Sequence, residues 1–492
     1  MHSLSKSRLM DYRQCPKRLW LQLHSPQLQV TDAAGSYRMG AGNEVGVLAR
    51  HLFDVTGQGV LIESPAGDFA AAVTQTQQAL AAGQPVFEAV LAPLGIHALA
   101  DILLPETGGG WQMIEVKSAA SVKAHYREDL AIQLFIAERF GLACNRLTLA
   151  HIDSKWVYPG EGDYSGLFKA VDVTADIRAR VAAVPDWIAD AQALIARDSA
   201  PVITTGAHCR SPHSCGFYTH CRSNEEVAEM PIEWLPGSLS RKARAFVNQH
   251  KPSDMRELPD ELLNALQVRV KNATISGQPY FDSAATRAEL AGYQMPAYFL
   301  DFETAQLVIP RWAGNRPYTQ IPFQYSLHIR HQHGGEEHRE FLDISGEDPA
   351  RPFAENLVKD WTGLGPVFVY NRAFEAGRVK ALAKRFNDLS EPLLAINKRM
   401  VDLLPMARKH YYHPSQQGSW SIKKLLPAIA PELDYSQLDG IQDGGMAMQA
   451  YSEATAASTS DERRLQIRRE LLAYCKLDTY AMVRIWDVFR GQ

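Results

Sequence analysis

The chain has 492 residues, 46% of them hydrophobic and 22% charged, with a formal net charge of −4. That balance belongs to an ordinary globular protein and excludes a wholly disordered chain, a collagen and a coiled-coil rod. At about 100–200 residues per domain, the length points to two to four domains. No stretch approaches about 18 consecutive apolar residues, so no membrane span or membrane partner is expected. The N-terminal residues lack the apolar core of a secretory signal, which makes the cytoplasm the expected location. A net charge of −4 leaves room for a nucleic-acid partner only through a local basic surface.

Such a surface is first offered between Ser5 and Arg18, where Lys6, Arg8, Arg13, Lys17 and Arg18 face a single acid, Asp11, in a helix-like segment that includes Cys15. The segment either contacts phosphates or forms a solvated face. Val86–Leu91 and Gln112–Lys117 read as strands, and 128–139 as a helix with apolar residues three and four apart. Asp101 precedes an apolar run and the glycine turn Gly108-Gly109-Gly110. Side chains two apart on a strand share a face, so Glu115 and Lys117 project together. If Asp101 ends the neighbouring hairpin strand, two carboxylates and one ammonium converge. Carboxylates suit Mg²⁺ or Mn²⁺, which activate water and neutralise a scissile phosphate. An exposed strand face carrying a Glu and a Lys is the plain alternative.

Cys209, Cys215 and Cys221 follow at even spacing, with His208, His213 and His220 interspersed. In a reducing compartment, such a cluster together with Cys15 indicates metal or redox chemistry rather than bridges. Residues 226–295 change character: prolines punctuate short helical pieces, apolar residues recur, and Arg241, Lys242, Arg244 and Lys251 are a second candidate backbone contact. The expected element is a small helical connecting module.

A buried-looking strand, Tyr298–Glu303, opens a new domain and carries Asp301 and Glu303 on one face. Val367–Tyr370 reads as another strand and leads to Asn371 and Glu375. An amphipathic helix, roughly Glu462 to Phe489, brings Tyr474 and Asp478 to one face by their four-residue spacing. Lys423 follows Ser419 and Ser421, either near substrate or, as expected, in an ordinary capped helix start.

Asp101, Glu115 and Lys117 resemble the PD-(D/E)XK nuclease motif in its RecB-like branch. That resemblance implies a further metal ligand upstream, for which Glu44 matches and Glu88 competes, and a supporting Gln on the following helix, matched by Gln133. Cys15 with Cys209, Cys215 and Cys221 is similar to the four-cysteine sites of some RecB-like nucleases, which implies a 4Fe–4S cluster holding a DNA-binding face together. The five-residue gaps and interspersed histidines keep Zn²⁺ as the alternative. Asp301, Glu303, Tyr474 and Asp478 resemble the motifs of DnaQ-like 3′–5′ exonucleases on an RNase H-like fold. The implied roles are metal ligands for Asp301, Glu303 and Asp478 and water orientation for Tyr474. Glu375 stands where that family usually carries Asp, and Asp402 is a rival for its place.

The combined order resembles bacterial fusions of the two nuclease types, of uncharacterised function. The implied architecture is multidomain α/β: a RecB-like domain over 1–225, the helical module over 226–295 and a DnaQ-like domain over 296–492. The expected function is metal-dependent hydrolysis of DNA, in repair or defence, with any helicase or other partner unknown. The alternatives are an RNA-trimming exonuclease whose N-terminal domain only grips substrate, and a nucleic-acid-binding scaffold without catalysis.

Overall fold

A computed structural model describes residues 4–30, 33–63, 69–93, 95–361, 363 and 365–491. Helix makes up 50% and strand 17%, so the protein is multidomain α/β. The chain divides into two compact units, Met1–Glu225 with Leu307–Thr319, and Glu226–Gln306 with Gln320–Gln492.

The first unit runs β1 (Leu4–Ser5), α1 (Lys6–Gln14), α2 (Pro16–His24), α3 (Ala33–Phe53), β2 (Val60–Leu61), α4 (Phe69–Ala81), β3 (Val86–Leu91), β4 (Ile96–Pro105), β5 (Trp111–Lys117), α5 (Ala124–Phe140), β6 (Cys144–Ile152), β7 (Phe168–Asp172), α6 (Thr174–Val181), α7 (Val184–Ile195) and α8 (Tyr218–Ser223). The basic N-terminal segment is two helices, not one. Cys15 is extended and Pro16 opens α2, because proline lacks an N–H to donate and is preset for a first helical position. The sheet order is β2-β3-β4-β5-β6-β7, with β1 beside β4. β3, β4 and β5 are antiparallel neighbours, and the β4–β5 turn uses three glycines at positive φ, which residues with a Cβ rarely adopt. β5 and β6 are parallel, so the chain needs the α5 crossover between them. That helix is buried on most sides, with Leu130, Ile132, Leu134 and Ile136 fully buried in the core it shares with the sheet and Asp129 and Gln133 buried on the face towards β5.

The second unit runs α9 (Arg241–His250), α10 (Ala265–Ser276), β8 (Tyr280–Phe281), α11 (Ser283–Leu290), β9 (Ala297–Gln306), β10 (Gln320–Arg330), β11 (Glu336–Leu342), α12 (Ala350–Asp360), β12 (Val367–Val369), α13 (Arg372–Arg385), α14 (Ser390–Lys398), β13 (Met400–Asp402), α15 (Leu403–His410), β14 (Tyr411–Tyr412), α16 (Ile422–Ile429), α17 (Gly444–Ala454) and α18 (Asp461–Arg490). Its main sheet is ordered β11-β10-β9-β12-β13, with β10 antiparallel to both neighbours and β9, β12 and β13 parallel. Leu235, Met255, Leu258, Val270 and Leu290 share one core with Phe299, Phe368 and Trp486. The segment read from sequence as a connecting module is therefore packed into this unit, its apolar residues sharing that core.

Candidate active sites

Strand register builds the first site. Ile102 pairs with Ile114 and Leu103 with Met113, which sets Asp101 across from Glu115. On the other side, Phe87 and Ala89 pair with Ile102 and Ala100, bracketing Glu88 opposite Asp101. Three carboxylates thus lie in one cross-strand row. Glu88 holds φ 55, a left-handed conformation uncommon for a residue with a side chain and concentrated at functional sites.

Glu115, only 2% exposed, is the hub. Its Oε1 accepts from Lys117 Nζ at 2.5 Å and Lys6 Nζ at 3.1 Å, and Gln133 Nε2 donates to its Oε2. Asp129 completes the group, with Oδ2 at 2.6 Å from Lys117 and Oδ1 at 3.1 Å from Lys6. Asp101 Oδ2 accepts the Val116 N–H at 2.7 Å. Burial and the neighbouring Glu115 push Asp101 up to about 8. Asp129 goes the other way: burial opposes ionisation, but Lys117 and Lys6 hold its carboxyl low. The same carboxylates, Asp129 first, hold Lys117 protonated against the burial that disfavours its charge.

Asp101, Glu115, Lys117 and Gln133 are therefore brought together, while Glu44 is exposed on α3. Glu88 lies nearer: burial first, with the Glu115 charge adding, raises its carboxyl, although Arg50 pairs with it at 2.9 Å. Asp129 escaped the sequence reading, although its position four residues before Gln133 on α5 puts both on one face. The basic segment is largely engaged within the fold: Lys6 in this site, Arg13 with Glu128 at 3.2 Å, Arg18 with Asp11 at 2.8 Å, and Lys17 towards the Ile203 carbonyl at 3.5 Å. Arg8 is the third residue of α1, its backbone N–H donating to Ser5 Oγ at 3.2 Å.

Cys15, Cys209, Cys215 and Cys221 line one small cavity with Lys17, Arg18 and His208. Cys215 N–H donates to the Cys209 carbonyl at 2.8 Å, and Gln14 Nε2 donates to the carbonyls of His208 and His213 at 2.8 and 2.7 Å. His208 Nε2 lies 3.5 Å from Cys209 Sγ, whereas the His213 ring packs on His125 and His220 contacts Asn224. Burial pushes the Cys215 and Cys221 thiols up. Cys144 stands apart, its thiol pushed up to about 12 by burial.

In the second unit, Asp301, Glu303 and Asp478 place carboxylate oxygens within 4.8 Å of one another. They line a cleft of about 240 Å³ with Asn371, Glu375, Lys423 and Tyr474. Strand alternation aims Asp301 and Glu303 from β9, and α18 carries Asp478. The helix is pinned by a buried polar row on β10: Gln324 Nε2 donates to the Leu471 carbonyl at 2.7 Å, and Ser326 Oγ and His328 Nδ1 lie 2.7 and 2.8 Å from Thr479 Oγ1. Burial first, then Asp478, Glu375 and Glu303, hold the Asp301 carboxyl well above the usual range. Burial and Asp478 push Glu303 up to about 8, and burial lifts Asp478 to about 6.

Two side chains here went unassigned or were read as structural. Tyr435 Oη donates to Asp478 Oδ1 at 2.6 Å. Lys423 Nζ sits 5.2 Å from the ring centroids of both Tyr435 and Tyr474 and donates to the Gln442 carbonyl at 2.5 Å. Ser421 does precede a helix start, but without a side-chain cap bond. Glu375 lines the cleft and is pushed up to about 8 by burial, against a backbone hydrogen bond that lowers it and with a smaller push from Asp402, yet it lies outside the compact triad. Its Oε2 has no hydrogen-bond partner among the described residues. Asp402 is committed elsewhere, accepting from the backbone N–H groups of Asn371, Arg372 and Leu404. Cys475 is buried, its sulfur 4.0 Å from Asp301 Oδ2.

Residues 298–421 match the family described as DUF2779, a domain of unknown function. No curated protein matches the chain. A solved structure described as "Crystal structure of SSO0001" is 16% identical, over 46% of this chain and 88% of that one, with a TM-score of 0.25. At that score the likeness carries no argument about activity.

Proposed function

We propose that the chain is a metal-dependent nuclease acting on DNA, with a RecB-like PD-(D/E)XK site on residues 1–225 and a DnaQ-like 3′–5′ exonuclease site on residues 296–492. The observation that carries this reading is the convergence of Asp301, Glu303 and Asp478 within 4.8 Å in a cleft. Such a donor set fits Mg²⁺ or Mn²⁺, which take oxygen ligands. Crowding that raises these carboxyls is what a divalent cation relieves. Cations held there supply water activation and charge stabilisation at a scissile phosphate. Tyr435 fixes Asp478, Tyr474 and Lys423 line the wall that faces attacking water and phosphate, and Glu375 extends the acidic floor. Asp101, Glu115, Lys117 and Gln133 form the second centre. The four cysteines fit a 4Fe–4S cluster as a staple. Zn²⁺ bound by Cys and His is the alternative at the cavity they line.

Degradation of end-labelled single-stranded DNA in Mg²⁺ or Mn²⁺, compared across wild type, Lys117→Ala and Asp301→Ala, tests the proposal. Loss in one variant assigns that activity to one site, and partial loss in both supports two working centres. Cleavage of matched RNA alone favours an RNA-trimming exonuclease whose N-terminal residues only grip substrate. Inactivity of the wild type on both overturns the enzyme reading in favour of a nucleic-acid-binding scaffold.

A further inference from the structure

Lys6 is placed with more care than a phosphate-binding surface lysine needs. Its ammonium lies 3.1 Å from both Glu115 and Asp129, and its side chain is 16% exposed. Ahead of it, Leu4 and Ser5 pair with Ile96 and His97 of β4, the strand that carries Asp101. Ser5 Oγ caps α1 by accepting from Arg8 N, and Leu9 is fully buried. At the far end of α1, Gln14 donates to two carbonyls of the cysteine segment and Cys15 lines the four-cysteine cavity. At about 1.5 Å per residue, α1 is a rod of roughly 13 Å between the two centres.

Lys6 and Lys117 both donate to the same oxygen, Glu115 Oε1. Lys117 has the shorter contacts and keeps Asp129 at 2.6 Å, whereas both Lys6 contacts are 3.1 Å. A cation that takes Glu115 Oε1 as ligand therefore displaces Lys6 first. When Asp101, Glu115 and Asp129 are ionised and Glu88 is neutralised by Arg50, the two lysines leave one net negative charge. One divalent cation turns that into one net positive charge, which matches a single phosphodiester anion.

We propose that Lys6 is a second lysine of this carboxylate site, released from Glu115 on cation binding to pair with the substrate phosphodiester, and that the four-cysteine centre fixes its position through α1. The proposal rests on reading residues 1–225 as a nuclease site. It takes the ligand to be one backbone phosphate of a nucleic-acid strand.

Calorimetric titration of Mn²⁺ into the full chain carrying Asp301→Asn and Asp478→Asn, which silence the other site, tests it with a readout independent of activity. Removing the competing charge with Lys6→Met is expected to tighten Mn²⁺ binding about tenfold, a change of the size expected for one charge close to a partly buried carboxylate. The same variant is expected to weaken binding of a DNA oligonucleotide in Ca²⁺ about tenfold, and Lys6→Arg to restore the DNA binding. Gln14→Ala, which leaves Lys6 and all four cysteines in place, is expected to shift both affinities in the same direction by a smaller factor, and it remains informative if Lys6→Met does not fold. Mn²⁺ binding that is lost in Glu115→Gln but unchanged in Lys6→Met overturns the role of Lys6 and leaves the nuclease reading standing. No effect of Gln14→Ala on either affinity overturns the coupling through α1. Absence of Mn²⁺ binding to this site in every variant overturns both the proposal and the reading beneath it.

Discussion

Tyr435 donates its hydroxyl to Asp478 Oδ1 at 2.6 Å, and both groups are buried. The bond fixes the rotamer of one acid of the triad from a turn 43 residues upstream. Tyr435→Phe keeps the ring and removes the donor, leaving a buried carboxylate oxygen unsatisfied, at a cost of about 1–3 kcal/mol. On the proposed exonuclease reading, turnover of single-stranded DNA is expected to fall by about ten- to a hundredfold, on the order of a lost positioning contact. Unchanged turnover would show that Asp478 needs no such anchor.

Cation binding by the acidic triad is expected to depend on pH. Burial and neighbouring acids raise Asp301 and push Glu303 up to about 8. A carboxyl that titrates higher folded than unfolded costs no stability below its unfolded value of about 4, and the cost grows as pH rises through the folded value. Mn²⁺ removes that cost. Its gain in melting temperature should be larger at pH 8.5 than at pH 6, and in Asp301→Asn with Glu303→Gln should shrink to what the Asp101–Glu115 site contributes. An equal gain at both pH values would contradict the crowding described above.

His328 and His338 titrate in the opposite sense. Burial first, then His338 and nearby cations, push His328 down to about 3, and burial with Lys476 pushes His338 down to about 4. Their neutral rings hold the polar row against α18, with His328 on Thr479 and His338 Nε2 2.9 Å from Ser326 Oγ. Depressed histidines favour the fold fully above their unfolded value of about 6.5, and that stability is lost as pH falls towards the folded values. With screening at the partly exposed His338, the pair is expected to lose about 2 kcal/mol by pH 5. Denaturant unfolding of His328→Gln with His338→Gln should show a flatter slope between pH 7 and 5.

The cysteine centre predicts a brown protein with about four irons and four sulfides per chain when isolated without oxygen. Cys15→Ser should bleach the visible absorption and lower the melting temperature, because the ligands close a loop of 193 intervening residues. A colourless protein carrying stoichiometric zinc would replace the cluster with a Cys/His zinc site, for which His208, 3.5 Å from Cys209 Sγ, is the candidate histidine.

Local periodicity was enough to pair Glu115 with Lys117, Asp301 with Glu303 and Tyr474 with Asp478. Residues two apart on a strand, or four apart on a helix, share a face whatever the rest of the chain does. The α/β class was legible from the same alternation of strand and helix patterns, whereas the joining of Cys15 to the three later cysteines came from the resemblance to four-cysteine nucleases and not from any local period. The partners that complete each site were not. Lys6 meets Glu115 across 109 residues, Tyr435 meets Asp478 across 43, and Asp101 faces Glu115 only through strand register. No repeat in the sequence encodes those distances. Packing of α1 against β4 and of α18 against β10 decided them, because a long-range contact forms only where buried surfaces fix two elements in one relative position. The sequence alone set which side chains share a face, and the tertiary structure decided which faces meet.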